Sequence, residues 1–377
     1  MTGETPKIPS DYLRGVNADV ADGFRAARAA IEKAGPLDYP TRELIMLSGF
    51  AASGFEESFR IHVRRAAARG ISKPAMQQAV LILFGATTAL LPVVNALRWI
   101  DEEFAQQDGA GPRTVRSADG TMIGYVRSGE GAPLLLVHGA TSDRSRWRPV
   151  QAALDARYGV HAMDRRGRGA SGDATAYALQ REVEDVVALV EAIGAPVHVL
   201  AHSYGAVCAL EASRVTANMR SLILYEPPMS TPATPPEQQN AQDAVIREIE
   251  ACVAKGDRAG ALDTFYRKNL RMPEAELEAL HRLPDWPNRL ALAHTLPREL
   301  REVWRYRFDP TRFREHRVPT LVVLGGDSAP RYHDSTAMLK AGLPGSQVAV
   351  LAGHQHVAIN TGPELFAATV HDFLRRH

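Results

Sequence analysis

The segment Ala201-His202-Ser203-Tyr204-Gly205 constrains this chain more than any other. The apolar run Val197-His198-Val199-Leu200 precedes it, and Ala206-Val207-Cys208-Ala209-Leu210 follows it. The first run predicts a buried strand and the second a helix. A small-x-Ser-x-Gly sequence between them predicts a sharp strand-to-helix turn, where a serine can serve as a nucleophile. A serine hydroxyl is weak at neutral pH, so that role depends on whether the rest of the chain also supplies a base, an acid and an oxyanion site.

Short apolar runs recur on both sides of this turn, at 133–137, 159–163, 197–201, 221–225, 319–324 and 347–351. Helical patterns at 146–156, 178–193 and 205–217 separate the first four. Residues 115–127 read as a hairpin around Asp119-Gly120. This alternation predicts an α/β domain over 113–377 with a mainly parallel sheet. Leu134-Leu135-Leu136-Val137 is uniformly apolar, as a strand covered on both faces has to be. Between Tyr225 and Val318 the alternation stops. Five prolines fall within 227–236, and helical patterns follow at 238–254, 258–269, 274–281 and 297–305. That insertion, about 227–316, is expected to form a helical lid over one end of the sheet.

Residues 11–107 have a different rhythm and predict an all-helical domain, with helices at 16–34, 41–53, 55–69, 72–86 and 89–105. Gly35-Pro36, Ser53-Gly54 and Gly70 mark the breaks. The polar, glycine-rich stretch 107–112 separates the two regions. The expected fold is thus an all-α N-terminal domain followed by the α/β domain. A net charge of +1 on 377 residues gives no field for nucleic acid or an anionic membrane, so neither partner is expected. Cys208 and Cys252 make neither a metal-ligand cluster nor a disulfide scaffold. The longest apolar stretch, Ala79 to Ala96, is broken by Thr87, Thr88, Pro92 and Asn95 and predicts a buried helix pair. With no signal-peptide core in view, a soluble, cytoplasmic protein is expected.

Several motifs of the second region occur in a telling order. Leu135-Leu136-Val137-His138-Gly139-Ala140 comes first, then Asp164-Arg165-Arg166-Gly167-Arg168-Gly169-Ala170-Ser171. The serine turn follows, then Gly325-Gly326-Asp327 and Gly353-His354-Gln355-His356. In this order they resemble the α/β-hydrolase family. The resemblance implies Ser203 as nucleophile, His356 as base and Asp327 as the acid that orients it. Glu226, after the strand ending at Tyr225, is the alternative acid, and His354 the alternative base. The backbone amides of Ala140 and Tyr204 are the implied oxyanion hole. The Tyr204 side chain either touches substrate or packs as a buried aromatic. His138 organises its loop, and Asp164 to Gly169 form a structural turn without the ending of a phosphate-binding loop. The implied activity is serine hydrolysis of a small-molecule carboxylic ester or lactone through an acyl-enzyme, with no metal or organic cofactor. Amide or thioester hydrolysis, acyl transfer and a noncatalytic interaction protein are the alternatives.

The helical region resembles the carboxymuconolactone decarboxylase and alkylhydroperoxidase-D family. Tyr39-Pro40-Thr41-Arg42-Glu43-Leu44-Ile45 and Ile61-His62-Val63-Arg64-Arg65-Ala66 carry that resemblance, with Gly70-Ile71-Ser72 and Leu83-Phe84-Gly85-Ala86. The peroxidase-like branch uses a Cys-x-x-Cys pair, and its positions fall here on Phe55 and Ser58. A dithiol cycle is closed to those residues. Glu43 and His62 remain as a possible site. Such domains commonly build closed oligomers, so the resemblance implies a homo-oligomer joined through the N-terminal domain, or a domain that helps cover the hydrolase pocket.

Overall fold

The computed structural model describes residues 15–107, 112–230, 235–282 and 285–377. The linker residues 108–111 and the domain start expected at 11 lie outside these. The chain forms two compact units, Met1–Ala66 with Pro74–Trp99, and Ala67–Lys73 with Ile100–His377. An all-α N-terminal region precedes an α/β domain, the fold class read from the sequence.

Five helices come first: α1 (Ala18–Lys33), α2 (Tyr39–Ser53), α3 (Glu56–Ala68), α4 (Lys73–Leu81) and α5 (Leu90–Gln107). Local chemistry sets their ends. Asp38 caps α2 by accepting from the Thr41 N–H at 2.9 Å, and Pro40 sits in the first turn, where its missing N–H costs nothing. Gly54 closes α2 in the left-handed conformation, φ 69°. Leu47, Ala51, Phe59, Val63, Met76 and Val80 form the buried faces of α2, α3 and α4. The helix expected over 72–86 stops at Leu81. The Leu83 carbonyl then accepts from the N–H groups of Ala86, Thr87 and Thr88, which winds the chain into tight turns.

The second unit holds an eight-stranded sheet in the order β1-β2-β4-β3-β5-β6-β7-β8. Its strands are β1 (Arg113–Arg116), β2 (Met122–Ser128), β3 (Ala132–Val137), β4 (Tyr158–Met163), β5 (Val197–His202), β6 (Met219–Tyr225), β7 (Thr320–Gly325) and β8 (Gln347–Leu351). β2 runs antiparallel to β1 and β4; every other pairing is parallel. The pleat sorts the strand residues onto two faces. Leu135, Val137, Val199, Ala201, Leu222, Leu224 and Val322 share one core with α7 (Leu179–Ile193) and α8 (Tyr204–Ala212). Leu134, Leu136, Leu200, Ile223, Tyr225, Leu321 and Val323 share the other with α6 (Arg148–Asp155) and α16 (Pro363–Leu374).

The lid contains α9 (Pro236–Ala254), α10 (Arg258–Thr264), α11 (Glu274–His281), α12 (Trp286–Leu292) and α13 (Leu296–Arg305). Ile246, Ile249, Leu262, Phe265, Leu277, Leu296 and Leu300 give it a core of its own, and Ala140 of the sheet domain packs against that core. α12 was not read from the sequence, and neither were α14 (Pro330–Gly342) and the single turn α15 (Ala358–Thr361). The loop Asp164 to Gly169 is structural, as expected. Arg165 makes a two-point ion pair with Glu182 at 2.7 and 3.0 Å, and Arg166 another with Asp185 at 2.7 Å twice. Arg168 pairs with Glu299 of α13. These buried pairs tie the end of β4 to α7 and to the lid. Among the described residues, no helix is long and apolar enough to cross a membrane.

Candidate active site

Ser203 stands between β5 and α8 with φ 55° and ψ −126°. For a residue with a Cβ this is a strained backbone, of the order of 1–3 kcal/mol. Close approach to the neighbouring loop sustains it. A Cβ on Gly139 would lie 2.8 Å from the Ser203 Cβ. A Cβ on Gly205 would lie 2.7 Å from the Val137 carbonyl oxygen and closer still to that of His138. Both atoms are backbone and cannot swing aside. Gly205→Ala is therefore expected to destabilise the fold by about 1–3 kcal/mol and to abolish activity, read by thermal unfolding and ester turnover. Ala201 fills the other small position of the turn with its side chain fully buried.

The chain places His356 beside this turn. The ring of His202, the residue before Ser203, lies 4.6 Å from that of His356, and its Nε2–H donates to the His356 carbonyl at 3.2 Å. Tyr332 stacks on His356 at 4.5 Å and 15°. The His356 Nδ1–H donates to Glu226 Oε2 at 2.7 Å. Nε2 is left as the nitrogen with a lone pair. Glu226 is fully buried, adopts φ 47°, and accepts from the Gly325 N–H at 2.7 Å through its second oxygen. Burial lowers the His356 pKa below its ordinary value of 6.5; Glu226 opposes that, while Arg146 and Arg331 add to it.

Asp327, expected as the orienting acid, does not meet His356. It is exposed in the turn after β7, where its N–H donates to the His354 carbonyl at 3.0 Å. The Gly-Gly-Asp motif serves the site through its first glycine instead. A Cβ on Gly325 would lie 2.6 Å from the His354 carbonyl oxygen, so the histidine loop packs directly on that glycine. His354 bonds Thr361 Oγ1 at 2.8 Å rather than a carboxylate.

The loop His138-Gly139-Ala140 lies against Ser203 through Gly139. His138 is fully buried, its Nδ1–H donating to the Gly139 carbonyl and its Nε2 accepting from the Arg165 N–H. Those partners demand the neutral ring, and burial with Arg168 and Arg165 nearby holds its pKa well below the usual range. It organises the loop. Tyr204 occupies the first position of α8, where helix N–H groups have no intrahelical acceptor. Its side chain is packed, with the Arg165 guanidinium 4.6 Å above the ring and Tyr177 Oη at 3.2 Å, so it does not reach toward a substrate.

In the first unit, Glu43 and His62 do meet. His62 Nδ1 and Glu43 Oε1 are 2.5 Å apart, with both side chains buried. Burial alone would raise the Glu43 pKa, but His62 and Arg65 outweigh it and lower it. A cavity of about 290 Å³ lined by Phe24, Arg25, Arg28, Ala29, His62 and Arg65 opens beside the histidine. Among the described residues, no group of three or more His, Cys, Asp or Glu residues is arranged to hold a metal ion.

Sequence reasoning missed Arg146. It follows the loop His138-Gly139-Ala140 in a single 3₁₀ turn, Arg144–Trp147, and its Nη1 donates to Asn360 Oδ1 just beyond His356. Its signal was one arginine among three in Arg144-Ser145-Arg146-Trp147-Arg148, with nothing to mark which one is buried.

Residues 134–369 match the Alpha/beta hydrolase family. N-formylmaleamate deformylase of Pseudomonas putida is 36% identical over 121 residues, 31% of this chain and 45% of that protein. The probable oxidoreductase EphD of Mycobacterium tuberculosis is 34% identical over 102 residues, 25% of this chain and 17% of that protein. The chain thus spans less than half the length of these relatives. Among solved structures, an alpha/beta hydrolase from Sphaerobacter thermophilus is 32% identical, covering 70% of this chain and 100% of that one, with a TM-score of 0.61. A thermophilic esterase from Thermogutta terrifontis, at 19% identity, covers 71% of this chain and 99% of that one with a TM-score of 0.58; at that identity the likeness is one of fold. By the extent of these matches and the sheet order, this chain belongs to the alpha/beta hydrolase family.

Proposed function

We propose that the protein is a serine hydrolase that cleaves a carboxylic ester or lactone through an acyl-enzyme. The observation that carries this reading is the 2.7 Å pairing of His356 with the fully buried Glu226 beside the strained Ser203 turn. Ser203 Oγ attacks the substrate carbonyl and passes its proton to His356 Nε2. Glu226 holds the Nδ1–H and stabilises the imidazolium that forms. The Ala140 and Tyr204 N–H groups stabilise the oxyanion. His356 returns the proton to the leaving alkoxide, and the acyl group stays on Ser203. Water then attacks the acyl carbon while His356 takes its proton, and Ser203 leaves with that proton as the acid product is released. The acid in this relay is Glu226; Asp327 has no part in it.

A second reading, amide hydrolysis, has support from the matched N-formylmaleamate deformylase, whose name denotes removal of an N-formyl group. A panel of aryl and alkyl esters, lactones, thioesters and N-formyl amides separates the two. Turnover of esters or lactones with inert amides is expected. The reverse ranking would shift the assignment to amides.

We read the first unit as carboxymuconolactone decarboxylase-like and as an assembly element. Thirteen of the nineteen exposed large hydrophobic residues among the described ones lie between Val16 and Val94. Surface of that kind marks an interface more often than a solvated face. The Glu43–His62 pair then serves as a packed polar contact between α2 and α3. Ile82→Asp with Leu91→Asp in the full chain is expected to lower the mass seen by light scattering to that of a monomer, with ester turnover retained. A monomeric wild-type chain would refute the assembly role.

A further inference from the structure

Four arginines among the described residues are buried: Arg146, Arg165, Arg166 and Arg168. The last three are matched by carboxylates, Glu182, Asp185 and Glu299. Arg146 forms no ion pair with any described residue. Its Nη1 reaches only the neutral amide of Asn360, while its Nε and Nη2 have no hydrogen-bond partner. Nε and Nη2 form one edge of the guanidinium. That same edge of Arg165 and of Arg166 grips a carboxylate side-on. An unpaired buried cation is costly, by several kcal/mol on general grounds. A fork left bare in this way is shaped for the two oxygens of a carboxylate.

Its place in the fold says where that carboxylate would come from. Arg146 belongs to the 3₁₀ turn that follows the oxyanion loop, and Asn360 lies four residues beyond His356. The lid closes over the same loop. Tyr266 Oη donates to Thr141 Oγ1 at 3.0 Å, and Asn288 Nδ2 to Asp143 Oδ2 at 2.9 Å. Arg289 of the lid is already satisfied by Asp285 at 2.8 and 3.0 Å. Arg146 acts electrostatically on His356 and His202 and is acted on by Arg289, Tyr225, Asp285 and Tyr266, which agrees with a position between the base and the lid; Asp285 itself makes its ion pair with Arg289, not with Arg146.

We propose that Arg146 binds an ionised carboxylate of the substrate, so that the enzyme selects carboxylate-bearing acyl compounds over neutral ones. The proposal rests on the acyl-transfer reading of Ser203 and names its substrate class. The substrate's carboxylate supplies the counter-ion the fold withholds, and its two oxygens accept from Nε and Nη2. Arg146 is then a specificity-determining residue, and it takes no part in bond making.

The test compares mono-p-nitrophenyl succinate with p-nitrophenyl butyrate, similar in length but differing in charge. The wild type is expected to favour the succinate ester. Arg146→Met is expected to lower the succinate-to-butyrate ratio of kcat/KM by about tenfold or more. Arg146→Lys, which keeps the charge but loses the fork, is expected to fall between, and it decides the matter if the methionine variant does not fold. Calorimetry adds a readout that needs no turnover: succinate binds the wild type and fails to bind Arg146→Met. A wild-type ratio near one that neither variant moves, with no succinate binding, would overturn the proposal. Loss of both ester activities in the wild type, with succinate still bound through Arg146, would instead overturn the serine-hydrolase reading and leave the anion site standing.

Discussion

Ser203→Ala lowers kcat by about 10⁴-fold or more on any ester the wild type turns over, while the protein stays folded. In the proposed mechanism the oxygen removed is the attacking atom, so neither the base nor the acid can substitute for it. The Cβ remains, so the turn keeps its contact with Gly139 and its strained φ of 55°. Stability is expected within about 1 kcal/mol of wild type, because among the described residues no hydrogen bond depends on Oγ. In the proposed mechanism, residual turnover reports what the Ala140 and Tyr204 amides achieve with water alone. A stopped-time assay at high enzyme concentration, with thermal unfolding on the same sample, checks both halves. A variant that kept a tenth of its activity would remove Ser203 from the chemistry.

Glu226→Gln comes second in expected effect. The glutamine can still accept from the Gly325 N–H, so the β6–β7 junction survives. Its remaining face has lost a charge, and with an NH₂ turned toward His356 Nδ1 it favours the wrong tautomer of the ring. A loss of about 10²–10⁴-fold in kcat is expected. The pH profile separates this from a packing defect. The base works only when neutral, so kcat/KM is full above the His356 pKa and falls as pH drops through it. Burial places that limb below 6.5, and the Glu226 charge holds it up from a lower position still. Removing the charge moves the acid limb to lower pH, the opposite of what a more exposed histidine would do. Asp327→Asn, on an exposed side chain, is expected to leave kcat within about threefold. A large loss at Asp327 with none at Glu226 would reverse the assignment.

These two carboxylates also mark the boundary of what the sequence made legible. The turn Ala201 to Gly205, the strands on either side and the lid insertion were readable because each rests on a local rule: an apolar run, a small residue, a proline cluster. The choice between Glu226 and Asp327 depends on which strand end turns its side chain inward. Glu226 does so in a left-handed conformation just before Pro227, whereas Asp327 follows a Gly-Gly pair whose first glycine the histidine loop needs for close approach. Neither fact has a local signature. Arg146 was hidden for the same reason, since burial without a carboxylate partner is a property of the packed molecule. The end of α4 was overestimated because apolar composition continues past the last helical turn through Ile82-Leu83-Phe84.

The most direct test of the account is covalent. A fluorophosphonate reacts only with a serine activated by a base and an oxyanion hole, so labelling followed by peptide mass spectrometry reads all three at once. The expected result is a single adduct on Ser203, absent from Ser203→Ala, formed much more slowly in Glu226→Gln and at the wild-type rate in Asp327→Asn. An active preparation that took up no label at Ser203, or that carried the adduct on another residue, would contradict the mechanism.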